Sequence, residues 1–182
     1  MTADALAGKR QIALALLAPG WEKIYYAHPP IDPIVCVGSI LSHEKLAEGT
    51  YNFLLQGITR ARIVSESDKG AYRCADLEVI SDDPVMEIDM SNDRQRLTWM
   101  LGDGPLADAP MVKQFRQMLT SSLSTAEVVD LIAFSVLDDV RVKQSLLAQT
   151  DPRKRAHRVI AALEQLRPLL EAYSRKKGNR MN

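Results

Sequence analysis

The sequence predicts an α+β chain, with a small, mostly antiparallel β domain first and a bundle of helices after it. Three observations lead there. Five strand-like segments, punctuated by glycine and proline, lie between Ile12 and Ile80. Around Ser81 the apolar period changes from 2 to 3.6. Beyond that point the chain carries repeated helix-start signals, the clearest at Ser124. The division expected is residues 1–82 for the β domain, 83–174 for the helices and 175–182 for a basic, disordered tail. A chain of 182 residues is long enough for such a small domain with a helical lobe.

Taken in order, Ala3–Gly8 reads as the last turn of a helix, with Gly8 as its cap. Ile12–Ala18 is a continuous apolar run of strand length, expected to be buried on both faces. Pro19-Gly20 stops it. Trp21 to Pro33 is a loop rich in aromatics and proline. It reads first as a packed connection over an edge of the core, and second as one wall of a recognition surface. Ile34–Leu41 is the next strand, with Gly38 marking a bulge or a close backbone approach. Ser42–Leu46 continues it in polar form. Gly49 supplies the positive φ of a hairpin turn.

Thr50–Gln56 alternates, with Tyr51, Phe53 and Leu55 on one side. Gly57 is expected to break it from Ile58–Val64, where Thr59, Ala61 and Ile63 oppose Arg60 and Arg62. Tyr72–Ile80 closes the series, with Ala75, Leu77 and Val79 inward and Asp76 and Glu78 outward.

Helices are predicted over Ser91–Leu101 and Pro110–Leu119, the second with Met111, Val112, Phe115, Met118 and Leu119 in one stripe. Ser124 and Glu127 form a capping box, with Leu123 and Val128 at the staple positions. The face expected to be buried there is Val128, Leu131, Ile132 and Val136. Asp138 or Asp139 starts a helix burying Val142, Leu146 and Leu147. Asp151-Pro152 starts the last one, with Ala156, Val159, Ile160, Leu163 and Leu166 in its stripe. Pro168 is expected to kink or end that helix.

Net charge is zero but unevenly placed. Asp76 to Asp108 holds nine acidic residues against Arg94 and Arg96, and Pro152 to Asn182 nine basic residues against Glu164 and Glu171. Solvated helix faces with a basic tail account for this. An anionic partner for the C-terminal end, or contact between the two regions, is the sharper alternative. No apolar run reaches the roughly 20 residues of a membrane span, and the N-terminus has no signal-peptide core. Cys36 and Cys74 lie in separate strands without metal spacing, so reduced thiols and a cytoplasmic protein are expected.

The sequence holds no GxxxxGK[ST], GxGxxG, HExxH or GxSxG. His43 beside Glu44 is weak as a catalytic pair, because any strand end can set His next to Glu. His157, among Arg153, Lys154, Arg155 and Arg158, is expected on a solvated helix face. The acids from Asp76 to Asp93 lack the spacing of a calcium loop. No enzyme activity, cofactor or metal is expected.

The stretch CVGSILSHEKLAEGTYNFLLQGITRARIV resembles the substrate-binding, N-terminal domain of the ATP-dependent Lon protease family. The matching features are Val37-Gly38, Gly49, Tyr51-Asn52, Gln56-Gly57 and Arg60-Ala61-Arg62-Ile63. The helical half is similar too, at Val142-Lys143-Gln144, Leu146-Leu147 and Thr150-Asp151. The resemblance implies a PUA-like β-barrel followed by a helical bundle, without the family's ATPase and Ser-Lys protease domains. It therefore implies a stand-alone, non-catalytic recognition domain, selecting unfolded or degron-bearing proteins or peptides, with a protease as a further partner. The family's first strand has no counterpart here, so the reading frame is expected to begin further upstream or the gene to be truncated. A barrel without that strand would have an open edge. The residues expected to bind peptide are Trp21, Tyr25, Tyr26, Tyr51 and Phe53, while Gly38, Gly49 and Gly57 shape the barrel. The alternative is an RNA-binding PUA-like module, with Arg60, Arg62 and the basic last helix on phosphates. It rests on fold analogy alone.

Overall fold

A computed structural model describes residues 1–67, 70–102, 104 and 112–178. The chain divides into two units, Met1–Ser81 and Asp82–Asn182. The first is the β unit. It begins with the short helix α1 (Thr2–Ala7), whose Gly8 cap donates its N–H to the Asp4 carbonyl at 3.0 Å. Four strands follow, β1 (Gln11–Leu14), β2 (Ile34–Lys45), β3 (Tyr51–Ser67) and β4 (Cys74–Ile80). They form one antiparallel sheet in the order β1-β2-β3-β4. Each strand pairs with its neighbour in sequence, so the sheet needs no crossover connection.

Two glycines explain the course of the central hairpin. Gly49 turns it with a φ of +76°, which residues with a Cβ rarely adopt. Gly38 stands opposite Gly57, and a Cβ built at Gly38 would lie 2.5 Å from Leu55 Cγ and 3.1 Å from the Gln56 carbonyl oxygen. The close approach expected at Gly38 is therefore present. Gly57 behaves differently from expectation. It does not divide β3, which runs unbroken from Tyr51 to Ser67. Its φ is not positive, and the register skips at Ile58, since Val37 faces Thr59 while Gly38 faces Gly57. One extra residue bends a strand without ending it. A Cβ at Gly57 would meet only the Cys36 sulfur, at 3.4 Å. Gly38→Ala is thus expected to destabilise the β unit by about 1–3 kcal/mol through overpacking, and Gly57→Ala by less than about 1 kcal/mol. Urea unfolding of the two variants checks the order.

The expectation of a long buried strand over Ile12–Ala18 is corrected. β1 ends at Leu14, only Ile12 in it is buried, and Leu14 is exposed. An edge strand is covered from one side only, so its apolar residues are not enclosed. Leu17 instead bridges Ile31, with Ala18 N–H donating to the Pro30 carbonyl and Asp32 N–H to the Leu16 carbonyl, each at 2.8 Å. These bonds fasten the base of the following loop. On β4, Val79 is exposed rather than inward.

The second unit holds α2 (Ser91–Gly102), α3 (Val112–Leu119), α4 (Thr125–Val136), α5 (Val140–Leu147) and α6 (Pro152–Gly178). They share one apolar core, including Leu97, Phe115, Val128, Ile132, Leu146, Val159 and Leu163. The capping box forms as the sequence predicts: Ser124 Oγ accepts from Glu127 N–H, and the Glu127 carboxylate accepts from Ser124 N–H at 2.8 Å. Asp139 caps α5, and Asp151 accepts from Arg153 N–H at the start of α6. Leu131 and Val142 are exposed instead of buried. The buried stripe of α4 is Thr125, Val128, Val129, Ile132 and Ala133, one position off the expected face. The last helix passes Pro168 and reaches Gly178, so the break expected at Pro168 is not found. One proline removes one N–H donor, and the leucine, glutamate and alanine after it favour helix. Residues 179–182, Met111 and the side chains of Val112 and Leu166 lie outside the described residues.

Arg155 is the largest departure. The sequence places it on a solvated face with His157, yet its side chain is only 1% exposed. Nε and Nη2 donate to Asp130, Nη1 and Nη2 to Asp82, and Nη1 to the Gln149 carbonyl. Burial alone would lower its pKa, but the two carboxylates outweigh burial and raise it.

Candidate functional site

Among the described residues, no group of three or more His, Cys, Asp or Glu could hold a metal ion. His43 has the Tyr51 ring as its nearest aromatic neighbour, at 6.3 Å between centroids. Cys36 and Cys74 are free thiols, and burial pushes the Cys36 thiol up from its ordinary pKa. What the β unit offers is apolar surface.

The loop zipped at Leu17 and Ile31 carries a 3-10 turn over Trp21–Ala27. It opens at Gly20, with φ +88°, and closes at His28, with φ +69°. Within it the rings stack edge to face, Trp21 against Tyr25 at 5.6 Å and Tyr25 against Tyr26 at 5.1 Å. Trp21 is half-buried, Tyr25 is 53% exposed and Tyr26 is 99% exposed. The packed-connection reading of this loop fits Trp21 but not the two tyrosines.

The turn is held at its far end. Arg73, just before β4, donates from Nη1 to the Pro29 carbonyl at 2.6 Å and from Nε to Glu66 on β3 at 2.8 Å. Glu66 also lies 3.7 Å from His28 Nε2. A guanidinium fork shared between a carbonyl and a carboxylate fixes direction as well as distance. The aromatic turn is therefore anchored to the β3–β4 hairpin.

Tyr51 and Phe53 lie elsewhere, on the first half of β3, opposite Lys45 and His43 of β2. Tyr51 is half-buried, Phe53 is just exposed, and Leu54 on the other face of the strand is more exposed still. No ring contact among the described residues joins Tyr51 or Phe53 to the aromatic turn. The five residues expected to bind peptide thus form two groups. Ile24, Leu54 and Ile58 add exposed apolar surface that the sequence did not single out. The signal for Ile58 is its place beside Gly57, because a bulge turns its extra residue out of the alternation.

Among its described residues the helical unit has an open depression of about 580 Å³, lined by Glu87, Ile88, Ser91, Arg94, Gln95, Thr98 and Trp99. Its two charges are already engaged. Glu87 accepts from Thr125 N–H at 3.0 Å and from the Thr125 hydroxyl, while Arg94 donates to the Leu119 and Leu123 carbonyls at 2.8 Å. Desolvation pushes the Glu87 carboxyl up, but the Thr125 bonds and Arg94 outweigh it and hold it below its usual 4.5. A carboxylate depressed by folding stabilises the fold above its unfolded pKa, and the contribution is lost as pH falls through the folded pKa. The stability gap between the wild-type chain and Glu87→Gln should therefore be full above the usual carboxylate range and shrink as pH falls below it. Urea unfolding at a series of pH values checks this.

Comparison with known proteins adds the ancestry. Residues 1–165 match the family described as the ATP-dependent protease La (LON) substrate-binding domain. The Lon proteases of Rickettsia prowazekii (strain Madrid E) and Rickettsia conorii (strain ATCC VR-613 / Malish 7) are each 20% identical over 132 residues, which is 70% of this chain and 17% of theirs. The N-terminal domain of the Mycobacterium avium complex Lon protease superposes with a TM-score of 0.58 at 12% identity, covering 84% of this chain and 90% of that one. At that identity the likeness speaks for the fold. The chain thus spans less than a fifth of the curated relatives it matches.

Proposed function

This chain belongs to the Lon substrate-binding domain family, and on that premise we propose that it is a non-catalytic module that recognises unfolded or degron-bearing protein segments. The observation that carries the reading is the anchored aromatic turn, which holds Tyr25 and Tyr26 in solvent. Tyrosines are large, carry little side-chain entropy and are enriched at binding hot spots. Exposed apolar residues on β3 offer a second apolar surface on the same unit. The described residues group no metal ligands, and the sequence carries no nucleotide or nucleophile motif. The role is recognition in proteolysis or quality control, with a protease as a further partner. We place it in the cytoplasm, where free Cys36 and Cys74 stay reduced.

The test is binding of a reduced, carboxymethylated globular protein, which cannot fold, against its native form. Preference for the unfolded form supports the reading. Equal binding of both forms, or none, overturns it. Retention of a single-stranded RNA that weakens steeply with salt, without unfolded-protein binding, would move the assignment to nucleic acid.

A further inference from the structure

The sheet has an outer strand whose edge is unoccupied by any other part of the described chain. Residues 74–80 of β4 make no backbone hydrogen bond, among the described residues, outside the ladder to β3. An unpaired strand edge is a template for another extended chain. Its side chains state what chain would fit. Val35, Ala61 and Val79 stand side by side across β2, β3 and β4. The first two are buried, while Val79 is 64% exposed. The apolar row thus continues to the edge and stops there uncovered. Leu77 shares that face of β4, because alternate residues do. The opposite face presents Asp76, which accepts from the Ser65 hydroxyl at 2.7 Å, and Glu78, which stands opposite Arg62 on the inner side of the ladder, while on the outer side residues 74–80 set no basic residue beside either.

Arg73 precedes the strand, but its guanidinium is occupied by Glu66 and Pro29. Those same bonds bring the end of the aromatic turn to the start of β4. The end of the aromatic turn and the start of β4 are therefore tied together within one unit.

Resting on the recognition reading above, we propose that the β4 edge takes an extended peptide segment by strand addition, with apolar and basic residues alternating along it. Its apolar residues cover Val79 and Leu77, and its basic residues meet Asp76 and Glu78. Main-chain bonds supply affinity and the alternate side chains supply selectivity. A second copy of this chain is a poor occupant. Two β4 strands paired antiparallel about Leu77 would set Asp76 of each against Glu78 of the other, and like charges directly opposite destabilise a ladder. β1 is a poorer edge, having four residues where β4 has seven.

The probe is a synthetic heptapeptide, Thr-Lys-Val-Lys-Val-Lys-Thr, acetylated and amidated, titrated into the full chain with amide hydrogen exchange read residue by residue. Expected are slowed exchange within Cys74–Ile80 and about tenfold weaker binding by a peptide N-methylated at alternate amides. A peptide with glutamate in place of lysine should bind weakly to the wild type and better to Glu78→Lys. Glu78→Gln, which changes no shape, should weaken the lysine peptide if Glu78→Lys fails to fold. Undiminished binding of the N-methylated peptide, or slowed exchange at β1 instead, overturns the proposal. Concentration-dependent protection of β4 without peptide also overturns it, in favour of a second copy. If the unfolded reporter binds but the heptapeptide does not, the edge proposal fails and the recognition reading stands. If neither binds, both fail.

Discussion

Replacing Arg155 with alanine is expected to cost the helical unit about 2–4 kcal/mol of stability. The reason is the accounting of donors. Arginine has five N–H donors, and Arg155 places all five, on Asp82, Asp130 and the Gln149 carbonyl at 2.7–3.2 Å. Removing it strands two carboxylates that folding brought together. They are 35% and 49% exposed, so water recovers part of their solvation. That keeps the expectation towards the lower end of the roughly 3–5 kcal/mol seen when a buried pair loses one member. Lysine at this position retains the charge but not the fork, and should lose about 1–3 kcal/mol. Methionine fills the space of the stem and should recover part of the alanine loss. Urea unfolding followed by far-UV circular dichroism measures all three. A loss under about 1 kcal/mol for alanine would mean that the cluster contributes geometry without net stability.

The way Arg155 was missed shows what a sequence carries and what it does not. Local signals were legible because their physics is local. Ser124 with Glu127, Asp151 before Pro152, and Gly49 each act on backbone groups within a few residues, and each lies where the sequence put it. Gly38 was legible as a close approach, though not the partner, Leu55, that makes it necessary. Arg155 lies four residues before Val159 and one before Ala156, at the margin of the buried stripe of α6. A charged residue at such a margin reads as solvated, and so it was expected here. The two aspartates that make burial tolerable are 25 and 73 residues away in sequence, and no local pattern names them.

Strand continuity failed for the opposite reason. Gly57 carries a strong local breaker signal, but the ladder to β2 pairs β3 from Tyr51 through Gly57 and again from Thr59 to Arg62, and holds the chain extended through it. Pairing overrode propensity. Exposure was the least legible quantity of all. Tyr25 and Tyr26 have the composition of a packed loop, and only the anchoring of that loop by Arg73 shows which rings face inward.

Those two rings carry the second large effect. The double variant Tyr25→Ser/Tyr26→Ser is expected to weaken binding of the unfolded reporter by about 30- to 150-fold. This follows from roughly 1–1.5 kcal/mol for each aromatic hot spot. Stability should change by about 1 kcal/mol at most, through the contact of Tyr25 with Trp21, because Tyr26 is surrounded by water in the folded state as in the unfolded one. Trp21 is left in place, since it is half-buried and packs on Tyr25, so its removal would mix binding with folding. The comparison that gives the result meaning is Phe134→Ser in the helical unit. Phe134 is also an exposed aromatic, held under the Lys143 ammonium at 5.3 Å. If general stickiness of exposed rings explains binding, Phe134→Ser should weaken it as much as the tyrosine pair does. If the aromatic turn is a recognition surface, Phe134→Ser leaves binding within about twofold of wild type and only the tyrosine variant loses it. Isothermal titration of all three chains with the same reporter separates the two accounts, and unfolding curves of the same samples show whether either variant has lost its fold.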